Sequence, residues 1–302
     1  MLKRTTLILG FCVLIAACSG PQGEETTEVL QEPAIATGPL TFHAPDGVEI
    51  AATVQSVGEP WVVLVHGWMC DQTYWDAQVP ALAEHFGVVT VDLPGHGLSG
   101  TERQAWTIAT LGEDVAVVIS GLGLSNVIVA GHSMGGRVGL EVARLMPGTV
   151  VGVIGVDTLQ DADQEWDPEE AEVFVGGLEQ DFVSACDSFV RSMFGKAADE
   201  ALIDSVAVDM CSGPGEIGAA LLRDYVGYDM AVALHDAGVP IRCVNADQWP
   251  TNVEGNRKYA DFDAVILPGY GHFLMQEAPE ELNRVLIETV AVLSTNRPLA
   301  AG

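Results

Sequence analysis

Basic residues are scarce in this chain: thirteen lysines and arginines against forty-two aspartates and glutamates leave a formal net charge of −29 over 302 residues. Such a surface repels phosphate backbones and anionic lipid, which argues against nucleic-acid binding and electrostatic membrane docking. No local motif concentrates the acids into a cation pocket, so the surplus reads as a solvated acidic face. Six cysteines are present, and their spacing fits no metal-site pattern. Gly121-Leu-Gly123 lies between a helical pattern and a strand with no phosphate-loop continuation, so no dinucleotide or nucleotide fingerprint appears. No cofactor and no metal are implied, and no internal repeat is evident.

What is present begins with MLKRTTLILGFCVLIAACSG. A basic start at Lys3 and Arg4, a short apolar run and small residues before Cys18 are the build of a secretory signal peptide, too short for a spanning helix. Ile15-Ala16-Ala17-Cys18 resembles the lipobox of bacterial lipoproteins, which implies cleavage before Cys18 and lipidation of its sulfur. By the same resemblance Ser19 favours the outer membrane, so the expected location is the cell envelope, on the periplasmic side of that membrane, held by the N-terminal lipid alone. Glu, Thr, Gln and Pro then dominate a flexible tether, residues 18–39. Cys70, Cys186, Cys211 and Cys243 remain in an oxidising compartment where pairing is permitted. Cys186 and Cys211 share one region and are a candidate disulfide; Cys243 falls in a core strand and reads as a small buried hydrophobe.

From about Leu40, short apolar runs alternate with helical patterns, the rhythm of a parallel-sheet α/β fold. Thr41–His43 and Val48–Val54 form an opening antiparallel pair across Pro45-Asp46-Gly47. Trp61–Val65, Val88–Val91 and Val127–Ala130 are β-branched runs without alternation, as expected of strands buried on both faces. Tyr74–His85 and Ile108–Leu122 read as helices. After Ser133 a helical pattern runs to Leu145, and Val150–Val156 is the next strand. The rhythm then fails from Asp157 to His235, where apolar residues at helical spacing mark an inserted cap. Strands resume at Ile241–Val244 and Ala264–Leu267, and Pro279–Leu293 is a final amphipathic helix. The expected organisation is a leader at 1–17, the tether, a core at 40–157, a helical cap at 158–235, the rest of the core at 236–295 and a tail at 296–302.

Gly131-His-Ser-Met-Gly135 carries the chemistry. A serine hydroxyl is a poor nucleophile at neutral pH and needs a base within reach and donors for the developing oxyanion. G-x-S-x-G between a strand and a helix supplies both: the serine sits in strained backbone geometry, and the glycines relieve the crowding. The N–H of Met134, at the head of the helix, then faces the oxyanion. The alternative is a serine in an ordinary glycine-rich turn.

The chain from about residue 40 to 294 resembles the α/β-hydrolase fold, through His66-Gly67-Trp68, Asp92-Leu-Pro-Gly-His-Gly-Leu-Ser99 and the Gly131–Gly135 elbow in that order. The resemblance implies a mostly parallel eight-stranded sheet flanked by helices, a serine hydrolase with a helical cap, and the N–H of Trp68 as second oxyanion donor. His66, Asp92 and His96 are read as shaping loops. The base is expected beyond the last strand, at His272 in the glycine-rich Leu267-Pro-Gly-Tyr-Gly-His272-Phe, a loop read as flexible; His132 is expected to point away from the elbow. Two loops offer the acid, and Asp247, after the penultimate strand, is favoured over Asp157, where haloalkane dehalogenases carry theirs. The resulting expectation is a cofactor-independent carboxylic-ester hydrolase acting on a small to medium apolar ester. Carbon-carbon, lactone or amide hydrolysis and cofactor-free haloperoxidase activity share the elbow, and a ligand-binding sensor on the same fold is the non-enzymatic alternative. The aromatics Trp166, Phe174, Phe182, Phe189, Phe194 and Tyr225 are either pocket lining or the cap's own core.

Overall fold

The computed structural model describes residues 35–164 and 166–295. The leader, Cys18, the tether as far as residue 34 and the tail lie outside the described residues. Among the described residues no helix is long and apolar enough to cross a membrane.

The sheet begins with β1 (Gly38–His43) and β2 (Glu49–Ser56), paired antiparallel as expected. β3 (Trp61–Val65) follows, then a short helix α1 (Val79–Ala83), β4 (Gly87–Val91), α2 (Ile108–Gly121), β5 (Val127–His132), α3 (Met134–Leu145) and β6 (Val150–Val156). The stretch expected as one helix from Tyr74 to His85 is split into a 3₁₀ turn at Gln72–Trp75, capped by Asp71, and α1. Pro80 explains the split, because a residue without an N–H fits a helix only in its first turn. α2 starts where Thr107 and Thr110 exchange side-chain and backbone hydrogen bonds in a capping box.

Four helices then interrupt the sheet: α4 (Pro168–Gln180), α5 (Phe182–Ser192), α6 (Glu200–Met210) and α7 (Gly215–Val226). They pack on one another, and a disulfide between Cys186 and Cys211 joins the end of α6 to α5. α8 (Met230–Ala237) packs on α3 instead and so belongs with the core layer. Part of the acidic surplus has a local purpose here: Asp167, Asp181, Asp199 and Asp229 accept N–H bonds as the N-caps of α4, α5, α6 and α8. Their negative charge also opposes the positive end of each helix dipole.

β7 (Ile241–Ala246), a turn of helix α9 (Val253–Asn256), β8 (Phe262–Leu267), α10 (Leu274–Glu277) and α11 (Pro279–Thr295) complete the domain. The eight-stranded order is β1-β2-β4-β3-β5-β6-β7-β8, parallel from β4 to β8. Every residue of β3, β4 and β5 is buried, which is why these strands lack alternation. Burying each Val or Ile of this layer contributes about 1.5–3 kcal/mol. The topology places the C-terminal ends of β3, β5 and β6 side by side, and loops from all three meet there.

Candidate active site

Ser133 occupies the turn between β5 and α3 with φ 52° and ψ −118°, a conformation that costs an L-residue about 1–3 kcal/mol. Its surroundings hold it there. The Ser133 N–H donates to Val156 O at 3.1 Å, and its carbonyl accepts from Gly136 N at 3.0 Å and from Thr158 Oγ1 at 2.7 Å. A Cβ on Gly131 would meet Gly135 O at 2.0 Å, and one on Gly135 would meet Val65 O at 2.4 Å. Only glycine lets these three backbone segments approach so closely.

Met134 is the first residue of α3, so its N–H has no partner within the helix. The N–H of Trp68, in the loop after β3, likewise has no backbone acceptor among the described residues. Both residues line the cavity above Ser133. The Trp68 ring is fixed by the cap: its indole N–H donates to Gly218 O at 2.8 Å, and it packs against Phe182 and Phe189. The neighbouring His66 is structural. Its Nε2 accepts from Leu93 N at 2.9 Å while Nδ1 lies 2.8 Å from Gly67 O, which fixes the neutral Nδ1–H tautomer. Burial pushes its pKa down to about 4 and that of His96 to about 3. Asp92 accepts N–H bonds from Gln72 and Leu98 and so holds its own loop.

His272 is buried, and its Nδ1 lies 2.5 Å from Asp157 Oδ2. Asp157 is buried too, and its second oxygen accepts from Ala246 N at 2.8 Å. His272 thus pairs with Asp157 and not with Asp247, the carboxylate favoured from the sequence. Asp247 is exposed, and its carboxylate accepts from Gly269 N at 2.8 Å, bracing the turn that leads to His272. The physical reason lies in the topology: β6 lies next to β5, and at its end Asp157 adopts φ 44°. The Asp247 loop instead contributes Trp249, whose ring meets the His272 ring edge-on at 5.4 Å.

Two further expectations change. The loop of His272 is pinned, because His272 N donates to Met193 O at 2.8 Å and Glu277 accepts from the N–H groups of Gly195, Gly271 and Phe273. Glu277 thus ties the histidine loop to the end of α5, a role that its place just before Pro279 does not reveal. His132 does not point away from the site: its ring lies 4.6 Å from that of His272, and its Nε2 is 3.0 Å from His272 O. Burial holds its pKa well below the ordinary histidine value, so it packs beside His272 as a neutral ring. Ser133 and His272 share the cavity wall, and the described hydrogen bonds include none between their side chains.

The cavity encloses about 900 Å³. Trp166, Phe174, Phe189 and Tyr225 line it, whereas Phe182 lies behind Trp68 and Phe194 stacks on Phe273. Met210 and Leu222 add to this apolar wall, while Gln160, Asp161, Asp163, Gln164 and Asp229 also line the cavity. Among the described residues no group of three or more His, Cys, Asp or Glu side chains is disposed to hold a metal.

Residues 62–285 match the model of the alpha/beta hydrolase family. This chain belongs to that family. It is 28% identical over 278 residues to the dihydrolipoyllysine-residue acetyltransferase component of an acetoin cleaving system from Pseudomonas putida, covering 83% of this chain and 70% of that protein. It is 32% identical over 200 residues to a pimeloyl-[acyl-carrier protein] methyl ester esterase from Sodalis glossinidius, covering 61% of this chain and 73% of that protein. Among solved structures, the bromoperoxidase from Bacillus anthracis superposes with a TM-score of 0.74 at 20% identity, over 83% of this chain and 100% of that one. At that identity the likeness is one of fold. The alpha/beta hydrolase fold is thus common to this chain and that structure.

Proposed function

We propose that this alpha/beta hydrolase is a serine esterase in which Ser133, His272 and Asp157 act as nucleophile, base and orienting acid. The observation that carries the reading is the buried Asp157–His272 hydrogen bond in the cavity that also exposes the strained Ser133. Asp157 holds the imidazole with Nδ1 protonated, which leaves Nε2 free to take the serine proton. Ser133 then attacks the ester carbonyl, and the N–H groups of Met134 and Trp68 stabilise the oxyanion. The alcohol leaves with the proton from His272, and water activated by the same histidine releases the acid. The esterase named among the relatives supports ester chemistry for this site. The test is labelling by a serine-directed phosphonate: the adduct is expected on Ser133, and an unlabelled, folded protein would refute the nucleophile.

We also infer that the chain is exported and lipid-anchored through Cys18 to the periplasmic face of the outer membrane, on the strength of Ile15-Ala16-Ala17-Cys18 and Ser19. The Cys186–Cys211 disulfide supports an oxidising compartment. Cys18→Ser is expected to abolish palmitate incorporation; a labelled variant would overturn the anchor.

A further inference from the structure

Arg137 lies four residues after Ser133, about 6 Å further along α3. The Cα–Cβ bonds of a helix tilt toward its N-terminus, so that of Arg137 tilts toward the serine turn. It lines the same cavity as Ser133 and His272 while being only 8% exposed. Its guanidinium sits over the Tyr225 ring, 3.4 Å from the centroid, and Nη1 donates to the Tyr225 carbonyl near the end of α7. Nε is buried without a partner. Nη2 has no hydrogen-bond partner among the described residues and is not fully buried.

Every other described arginine forms an ion pair: Arg103, Arg144, Arg191, Arg223, Arg242, Arg257 and Arg284 each reach a carboxylate. In a chain with a net charge of −29, the one described arginine without a carboxylate is the one in the catalytic cavity. The nearby acids are engaged elsewhere. Asp157 meets His272, Asp163 pairs with Lys258 at 2.6 Å, Asp161 accepts from Asn252, Asp229 caps α8, and Glu141 binds Arg144 and Tyr228. A buried cation without a counter-ion is costly, and a role confined to tying α3 to α7 leaves that cost unanswered.

We propose that Arg137 receives a carboxylate of the substrate, so that the ester cleaved at Ser133 is a monoester of a dicarboxylic acid. This rests on the esterase reading and names its substrate class. Among the described residues Arg137 is the only lysine or arginine lining the cavity, which suits one negative charge rather than a phosphate dianion. The apolar wall of Phe174, Met210 and Leu222 suits the methylene chain between the two ends. Hydrolysis consumes one water, breaks the acyl C–O bond and releases a dicarboxylate and an alcohol.

The experiment compares kcat/KM for monomethyl glutarate with that for methyl valerate, its neutral counterpart, in the wild type, Arg137→Met and Arg137→Lys. The wild type is expected to favour the anionic ester by about tenfold or more, and Arg137→Met to lower that ratio about 10- to 100-fold. Arg137→Lys, which keeps the charge, is expected to retain part of it. A wild type with no anionic preference, or a ratio unchanged in both variants, overturns the proposal. If the wild type cleaves neither ester, the esterase reading is what fails, and calorimetry with glutarate decides the site. Binding that disappears in either variant supports the carboxylate site; absent or unaltered binding overturns it.

Discussion

At the scale of single residues, the account turns on which carboxylate faces His272. Asp157→Asn is expected to lower kcat by about 10⁴, because the amide favours the wrong imidazole tautomer. Asp247→Asn removes only a brace on Gly269 N and is expected to cost at most about tenfold; steady-state kinetics on one ester separates the two, and the opposite ranking would return the acid to Asp247. The serine turn, its flanking glycines and the histidine loop were legible in the sequence, because each is tied to a local backbone requirement. The carboxylate that faces the histidine was not. Asp157 and Asp247 both follow strands that end at the same rim of the sheet, and only the three-dimensional path of the chain at Asp157, with φ 44°, aims one of them at the imidazole. Arg137 was invisible for a related reason: a helix buried on all sides gives no periodicity by which to tell a cavity-facing arginine from a surface one.

At the scale of elements, the β-branched strands were readable because burial on both faces leaves an unmistakable pattern, whereas the cap helices were readable only as a break in rhythm. The starts of α4, α5 and α6 are set by aspartate caps scattered in an acidic background. α8 was assigned to the wrong layer, since its packing against α3 leaves no mark in its own sequence. The cap bears directly on the site: the end of α5 bonds to the histidine loop through Met193 O and Glu277, and Gly218 of α7 fixes Trp68. The Cys186–Cys211 disulfide spans 25 residues, and closing a loop of that size contributes about 3 kcal/mol in the chain-entropy model. The double variant Cys186→Ala/Cys211→Ala is therefore expected to melt at a lower temperature than the wild type under non-reducing conditions. Equal melting temperatures would show that α5 and α6 hold together without the bridge.

For the whole molecule, stability and acidity are linked through buried histidines. His66, His96 and His132 all have pKa values depressed by burial, from 6.5 to about 4 for His66 and about 3 for His96. As pH falls through 6.5 the unfolded chain takes up protons that the folded protein refuses, so the stability present at neutral pH is lost progressively down to those values. At pH 5 the loss is on the order of 2 kcal/mol each for His66 and His96. A falling melting temperature between pH 7 and pH 5 is expected, even though the net negative charge shrinks over that range; a rising one would mean that relief of self-repulsion outweighs histidine burial.

The central claim, that this cavity hydrolyses esters through Ser133, is tested most directly by turnover of p-nitrophenyl esters of increasing acyl length by the full chain and its Ser133→Ala variant. The expected result is release by the wild type with a chain-length preference, and background rates from a variant that still folds. Equal release by both proteins, or none from a folded wild type, would contradict it.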